Sequence, residues 1–407
     1  LGEVKPLNYT MKAEARFLRA HFYFELVKRY GGVTLVGDRV YELDDDMELP
    51  RNTFAQCIDY IVRELDEIKN DLRSLPMPDG GDYAHTPTKE ACIAMKARVL
   101  LYAASPLFNE RPIEPGNELI GYASYDPERW NLAAEAAKEL IDEFGPNGKK
   151  TLDLTADYRN IFTEFYSSTG NPELIFFRPI GKGKGLETAN VPLGFSGNAL
   201  GYGNTNPTQN LVDKFQMADG TASEKKTHYD YYPWNGREIR FYAAFLLDGD
   251  EWGYGKDKRE VEVYYGGDET IPAGKDSNWG EYWWNASNTG YSMRKFLDPS
   301  YDATGTTMHT TPWFFIRLSE IYLNYAECQI ELGNNSEALE YINKVRTRAL
   351  LPPATGEDIR AEYEYERQIE LVFEGQRWFD LRRWKKMFDD KMVSHYLRVP
   401  SPSTNSK

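Results

Sequence analysis

The chain has 407 residues, long enough for about two or three structural units, and sets 48 Lys and Arg against 63 Asp and Glu for a net charge of −15. That balance excludes the basic footprint that a nucleic-acid surface needs to neutralise phosphates. With 41% hydrophobic and 27% charged residues the chain can build a core, and no apolar run approaches the ~18 residues of a membrane-spanning helix.

The chain opens on Leu1 without the charged, apolar and small-residue regions of a leader, so a trimmed piece of a longer precursor is expected. Ala13, Phe17, Ala20, Phe24 and Val27 recur at helical spacing and predict a helix that stops at Gly31-Gly32. Asp44, Asp45 and Asp46 read as a solvated loop; calcium would bind there only if other oxygen ligands converged, and no motif supports it. Phe54, Ile58, Ile61, Leu65, Ile68 and Leu72 predict a second helix, capped at Asn52 or Thr53. A third is expected from Thr86-Pro87 to Ser105-Pro106, and a fourth from Asp126-Pro127 to Gly145-Pro146. Cys57, Cys92 and Cys328 lie far apart on apolar stripes, where a free thiol acts as a small hydrophobe.

Residues 171–312 differ from the rest. This 35% of the chain holds 18 of the 32 glycines and five of the nine tryptophans, which marks a loop-rich insertion rather than more helix. Glu173 to Ile180 reads as a strand. Gly181, Gly183 and Gly185 follow it, but with no helix pattern behind them and no Walker Lys-Ser/Thr pair a flexible loop is expected. After the insertion, Leu318, Ile321, Tyr325, Cys328 and Leu332 form one apolar row, and Tyr322, Ala326 and Ile330 a second, so this helix packs on two sides. Gly333 ends it, and Ala338, Ile342 and Val345 continue on a partner helix. Ala326, Gly333, Ala338, Ile342 and Val345 together resemble one tetratricopeptide unit. Further helices are expected over Ile359–Phe373 and Gln376–Met387.

The fold class is therefore mainly α, a scaffold of helical pairs carrying one large irregular lobe. Residues 1–170 and 313–407 form the scaffold and 171–312 the lobe, in one interwoven unit. Enzyme signatures are missing: there is no HExxH, no CxxC and no nucleophile elbow, and the five histidines are scattered.

The lobe's aromatic segments point elsewhere. Trp279, Tyr282, Trp283 and Trp284 sit in SNWGEYWWNASN, Trp252 and Tyr254 in DGDEWGYG, and Tyr231, Tyr232 and Trp234 in HYDYYPWNG. Rings set among glycine, asparagine and charge suit a sugar, whose C–H face they cover while amides and carboxylates bond its hydroxyls. For any single ring, packing in the lobe's own small cores competes with this; for the EYWWN cluster, binding is favoured.

Three blocks carry a resemblance: AEARFLRAHFYFELVKRYGGVTLV (Ala13 to Val36), WFFIRLSEIYLNYAECQIELGNNSEALEYINKVRTRALLP (Trp313 to Pro352) and ERQIELVFEGQRWFDLRRWKKM (Glu366 to Met387). In this order, with NLVDKFQMADG and YSMRKFLD between them, they resemble the SusD/RagB family. The resemblance implies a tetratricopeptide-like scaffold and a non-catalytic, surface-exposed lipoprotein of the cell outer membrane. Such a protein binds oligosaccharide or polysaccharide, needs no cofactor and works beside a TonB-dependent transporter. Its lipid anchor and first helices are expected ahead of Ala13, and the family's closing stretch is not recognisable after Met392.

The expected ligand residues are Trp279, Tyr282, Trp283, Trp284, Trp252 and Tyr254. Two alternatives stand beside glycan capture: a peptide- or protein-interaction module on the tetratricopeptide-like scaffold, and a carbohydrate-active enzyme. Glu366, Glu370, Glu374, Arg377, Asp380, Arg382 and Arg383 are expected to form an ion-pair lattice over Trp378, Phe379, Leu381 and Trp384 rather than a catalytic cluster, and Arg317 and Glu320 likewise.

Overall fold

Helix α1 (Leu7–Tyr30) buries the predicted stripe of Ala13, Phe17, Ala20, Phe24 and Val27 and begins six residues ahead of it. It ends where Gly31 turns to a φ of +79°, and a side chain there would strike the Leu119 carbonyl at 2.3 Å. The computed structural model describes residues 7–387 except 75–85, 146–151, 153–157, 164–170, 172, 180–184, 193–200, 224–233, 254–257, 267–271, 282 and 299–311.

Helix α2 (Phe54–Ile68) starts in a capping box between Thr53 and Gln56, and Thr88 caps α3 (Lys89–Ala104). A single turn, α4 (Pro106–Asn109), follows at the Ser105-Pro106 break. Helix α5 (Glu128–Phe144) opens behind Pro127, with the Asp126 carboxylate accepting the Glu128 N–H at 3.0 Å. The acidic run at Asp44–Asp46 closes a turn on itself: Asp45 accepts the Glu42 N–H (2.9 Å) and Asp46 the Glu48 N–H (2.8 Å).

The lobe contains only short elements: α6 (Asn160–Thr163), β1 (Leu174–Pro179), α7 (Gly185–Asn190), α8 (Gln209–Val212), α9 (Ile239–Ala244), β2 (Phe245–Leu246), β3 (Glu251–Trp252), β4 (Arg259–Glu260) and β5 (Ser292–Met293). Residues 181–184 of the glycine-rich segment lie outside the described residues, and Gly185 opens the short helix α7, which the sequence pattern did not announce. Strand β6 (Pro312–Arg317) pairs antiparallel with β1, Leu174 opposite Arg317 and Pro179 opposite Pro312. Sequence periodicity misses β6 because both its faces are apolar: Phe314 and Ile316 are buried and Trp313 and Phe315 half-buried, so the alternation is muted.

Helices α10 (Leu318–Glu331), α11 (Asn335–Arg348), α12 (Ile359–Glu370) and α13 (Arg377–Arg383) complete the scaffold. Ala326 and Ala338 are fully buried where α10 and α11 approach, Gly333 turns between them at φ +82°, and the Tyr341 ring meets Tyr325 edge-on at 4.8 Å. Because α10 also packs on α3, α5 and α12, both its apolar rows are covered. One hydrophobic core thus joins α1, α2, α3 and α5 to the C-terminal helices, and two smaller clusters lie under the lobe.

A buried charge lattice ties the lobe to the scaffold. Arg240 and Lys295 from the lobe, Arg317 from β6, and Arg346 and Arg348 from α11 interlock with Glu173, Glu238, Glu366, Glu370 and Glu374, five cations against five carboxylates. A second knot holds Arg367 and Arg383 on Asp380 and Glu327, with the Trp384 indole N–H donating to Glu327 at 2.6 Å. Glu320 pairs with Arg98 (2.7 Å). Two expectations for this block are corrected. Arg382 donates to the carbonyls of Lys28 and Arg29, capping α1, rather than to a carboxylate. Trp378 does not pack beneath: it stands half-exposed, because α13 turns its first residues outward from the core that takes Trp384.

Candidate functional site

The lobe's aromatic residues divide into a core set and a surface set. Trp252 belongs to the core. In strand β3 it points into the cluster of Phe162, Phe296 and Phe314, with guanidinium groups of Arg159 and Arg294 over its ring at 5.3 and 5.8 Å, and is only 1% exposed. A ring so covered cannot stack on a ligand, which corrects the expectation made from its glycine- and charge-rich neighbours. Trp234 is likewise buried, among Phe215, Phe241 and Tyr291. Tyr231, Tyr232, Tyr254 and Tyr282 lie outside the described residues.

Trp279, Trp283 and Trp284 are 50%, 62% and 54% exposed. A tight turn presents the first of them. The Ser277 N–H and hydroxyl both donate to the Gly274 carbonyl (3.1 and 2.8 Å), and the Gly280 N–H donates to Ser277 O (3.0 Å). Gly280 packs so closely that a Cβ there would lie 2.0 Å from the Gly274 carbonyl oxygen. A 3-10 turn at Trp283–Asn285 then sets the next two rings 6.1 Å apart with their planes at 90°, so they offer two differently oriented faces.

The turn is pinned from below. Asp276 is buried and takes two hydrogen bonds from Arg259 (2.7 and 2.8 Å) and one from the Glu262 N–H (3.0 Å). Asp248 accepts the Val263 N–H at 2.7 Å, and burial pushes its carboxyl up to about 6. That segment leads to Tyr265, an exposed ring packed edge-on against Trp279 at 4.9 Å. Sequence reasoning missed Tyr265, although its place beside Tyr264 at the end of VEVYY was a signal. A second exposed ring, Tyr202, rides on a loop whose Asn206 side chain accepts the Asn288 N–H at 3.0 Å.

The exposed rings of Trp279 and Tyr265 and of Trp283 and Trp284 make this turn a candidate ledge for the apolar face of a ligand. Gly280→Ala is expected to lower ledge binding about ten-fold or more, because the added methyl must push the Trp279 turn off the Gly274 carbonyl. Titration calorimetry checks it beside a thermal melt, which should move little because the turn lies outside the core.

Among the described residues no group of three or more His, Cys, Asp or Glu side chains could hold a metal ion. No described helix is long and apolar enough to cross a membrane.

Comparison with known proteins follows the same lines. A family model described as the SusD family matches residues 172–398, and another, described as "Starch-binding associating with outer membrane", matches residues 3–101. The chain is similar to a SusD-like protein of Bacteroides ovatus, 24% identical over 403 residues, covering 94% of this chain and 60% of that protein. It is 33% identical over 389 residues to SusD-like protein P2 of Formosa agariphila, covering 92% of this chain and 65% of that one. It thus spans less than two thirds of the length of either relative.

Among solved structures, a SusD-like protein of Bacteroides fragilis superposes with a TM-score of 0.76 at 29% identity, covering 96% of this chain and 72% of that chain. A SusD-like carbohydrate binding protein of the same species gives 0.69 at 25% identity, with 93% and 67% covered.

Proposed function

Because the chain belongs to the SusD family, we propose that it is a surface-exposed outer-membrane lipoprotein that captures glycans without cutting them and hands them to a TonB-dependent transporter. Residues 171–312 would be the ligand lobe, carried on the helical scaffold. The observation that carries this reading is the ledge of Trp279, Trp283 and Trp284, three large rings held in solvent beside Tyr265. Large aromatic surface left in water is unusual unless a partner covers it. Binding without cleavage agrees with the state of the C-terminal carboxylates: Glu366, Glu370, Glu374 and Asp380 are each committed to arginine or lysine inside the protein. The reading requires no cofactor.

The test is retention on a panel of polysaccharides in native affinity gels, with reducing ends assayed in the same samples. Retention with no release of reducing ends is expected. Release abolished by one carboxylate substitution would replace capture with hydrolysis.

One observation favours peptide binding as a second reading. A cleft of about 380 Å³ between α2, α3 and α5 has Ile58, Val62, Leu100 and Leu132 in its lining, beside Asp59. Peptide affinity that survives loss of the three tryptophans would support that use of the scaffold.

A further inference from the structure

Building on the ring ledge as the glycan site, we infer that its ligands are uncharged glycans and that it repels polyanionic ones such as uronate-rich or sulfated chains. From Asp248 to Trp284 the chain carries ten Asp and Glu against four Lys and Arg, a net −6 of the whole chain's −15.

Asp250 pairs with Arg294 at 3.3 Å, and Lys256, Asp257, Asp268 and Glu269 lie outside the described residues. Arg259 is committed to Asp276 through two hydrogen bonds, and Lys258 to Glu251 at 2.8 Å. In the β3–β4 ribbon Glu251 stands directly opposite Glu260, both exposed, an arrangement that weakens the pairing. Glu260, Glu262 and Glu281 have no ion pair among the described residues.

These carboxylates belong to the segments that hold the rings. The Asp276 N–H donates to Glu262 O (2.8 Å) and the Glu262 N–H to Asp276 (3.0 Å), which fixes Glu262 against the turn of Trp279. Glu281 lies between Trp279 and Trp283 in the chain and is exposed.

An uncharged sugar brings no charge into this field and is neither attracted nor repelled by it. A polyuronate brings one negative charge per residue into the same field. The field reaches about 30 Å at 10 mM salt but only about 8 Å at 150 mM, so discrimination is largest in dilute buffer.

The test sets neutral polysaccharides (starch, laminarin, galactomannan) beside matched charged and uncharged forms of one backbone, methyl-esterified and de-esterified homogalacturonan, at 10 and 150 mM NaCl. Neutral ligands are expected to bind alike at both salts, and charged forms at least about ten-fold more weakly at 10 mM than at parity of backbone. Joint Glu260→Lys and Glu281→Lys replacement shifts the patch by four charges; it is expected to raise affinity for the de-esterified form about ten-fold at 10 mM and leave neutral ligands within about two-fold. A de-esterified glycan that is the tightest ligand at 10 mM overturns the charge selection and leaves the glycan site standing. Retention of no glycan, or retention that ignores loss of the three tryptophans, overturns the site and this selection with it.

Discussion

Alanine in place of Trp279, Trp283 and Trp284 together is expected to abolish glycan retention and leave the fold intact. Each ring is at least half in solvent, so its removal opens no core cavity and the melting temperature should stay within about two degrees. Binding is another matter. A ring that anchors a ligand at the centre of a contact contributes about 1–2 kcal/mol, so one replacement should weaken binding about ten-fold and all three at least a hundred-fold. Trp252→Ala makes the contrast: its ring is sealed in the lobe core, and its loss should cost about 3–5 kcal/mol of stability. Calorimetric binding with paired melts separates the two effects. A triple variant that binds as tightly as the parent would remove the ledge from the mechanism.

Glu370→Gln should be the most damaging conservative change in the scaffold. Glu370 is fully buried and faces Arg317 (2.6 Å), Arg348 and Arg240 (3.1 Å). Burial pushes its carboxyl up, but these arginines and Lys295 outweigh burial and hold it well below the usual carboxylate range. Glutamine keeps the shape and removes the charge, leaving five buried cations against four carboxylates. The uncompensated charge should cost about 3–5 kcal/mol, read as a lower urea midpoint. Lobe and scaffold share this lattice, so ledge binding should weaken as the protein destabilises. An unchanged midpoint would show that the lattice contributes specificity without stability, as some buried ion networks do.

The long helices were legible because their information is local. Each apolar stripe, cap and glycine stop lies within a few residues of the turn it governs, as Thr53 with Gln56 and Gly31 show. The tetratricopeptide-like pair α10–α11 was legible for the same reason. The charge block of residues 366–383 was recognised as an ion-pair lattice, but helical spacing could not say that its partners would come from Arg240, Lys295 and Arg317, up to 130 residues away in the chain. Arg382 was misplaced because its partners are set by the end of α1, which lies at the opposite end of the chain.

For this protein, then, amino-acid order alone determined the helical scaffold, the family and the region where the rings gather. Tertiary structure decided which rings meet water. Trp252 and Trp279 have equally polar, glycine-rich neighbours, yet one is covered by Phe162 and Phe296 from distant segments while a turn lifts the other clear. Exposure depends on what folds over a residue, and a side chain's immediate neighbours in the chain carry no record of that.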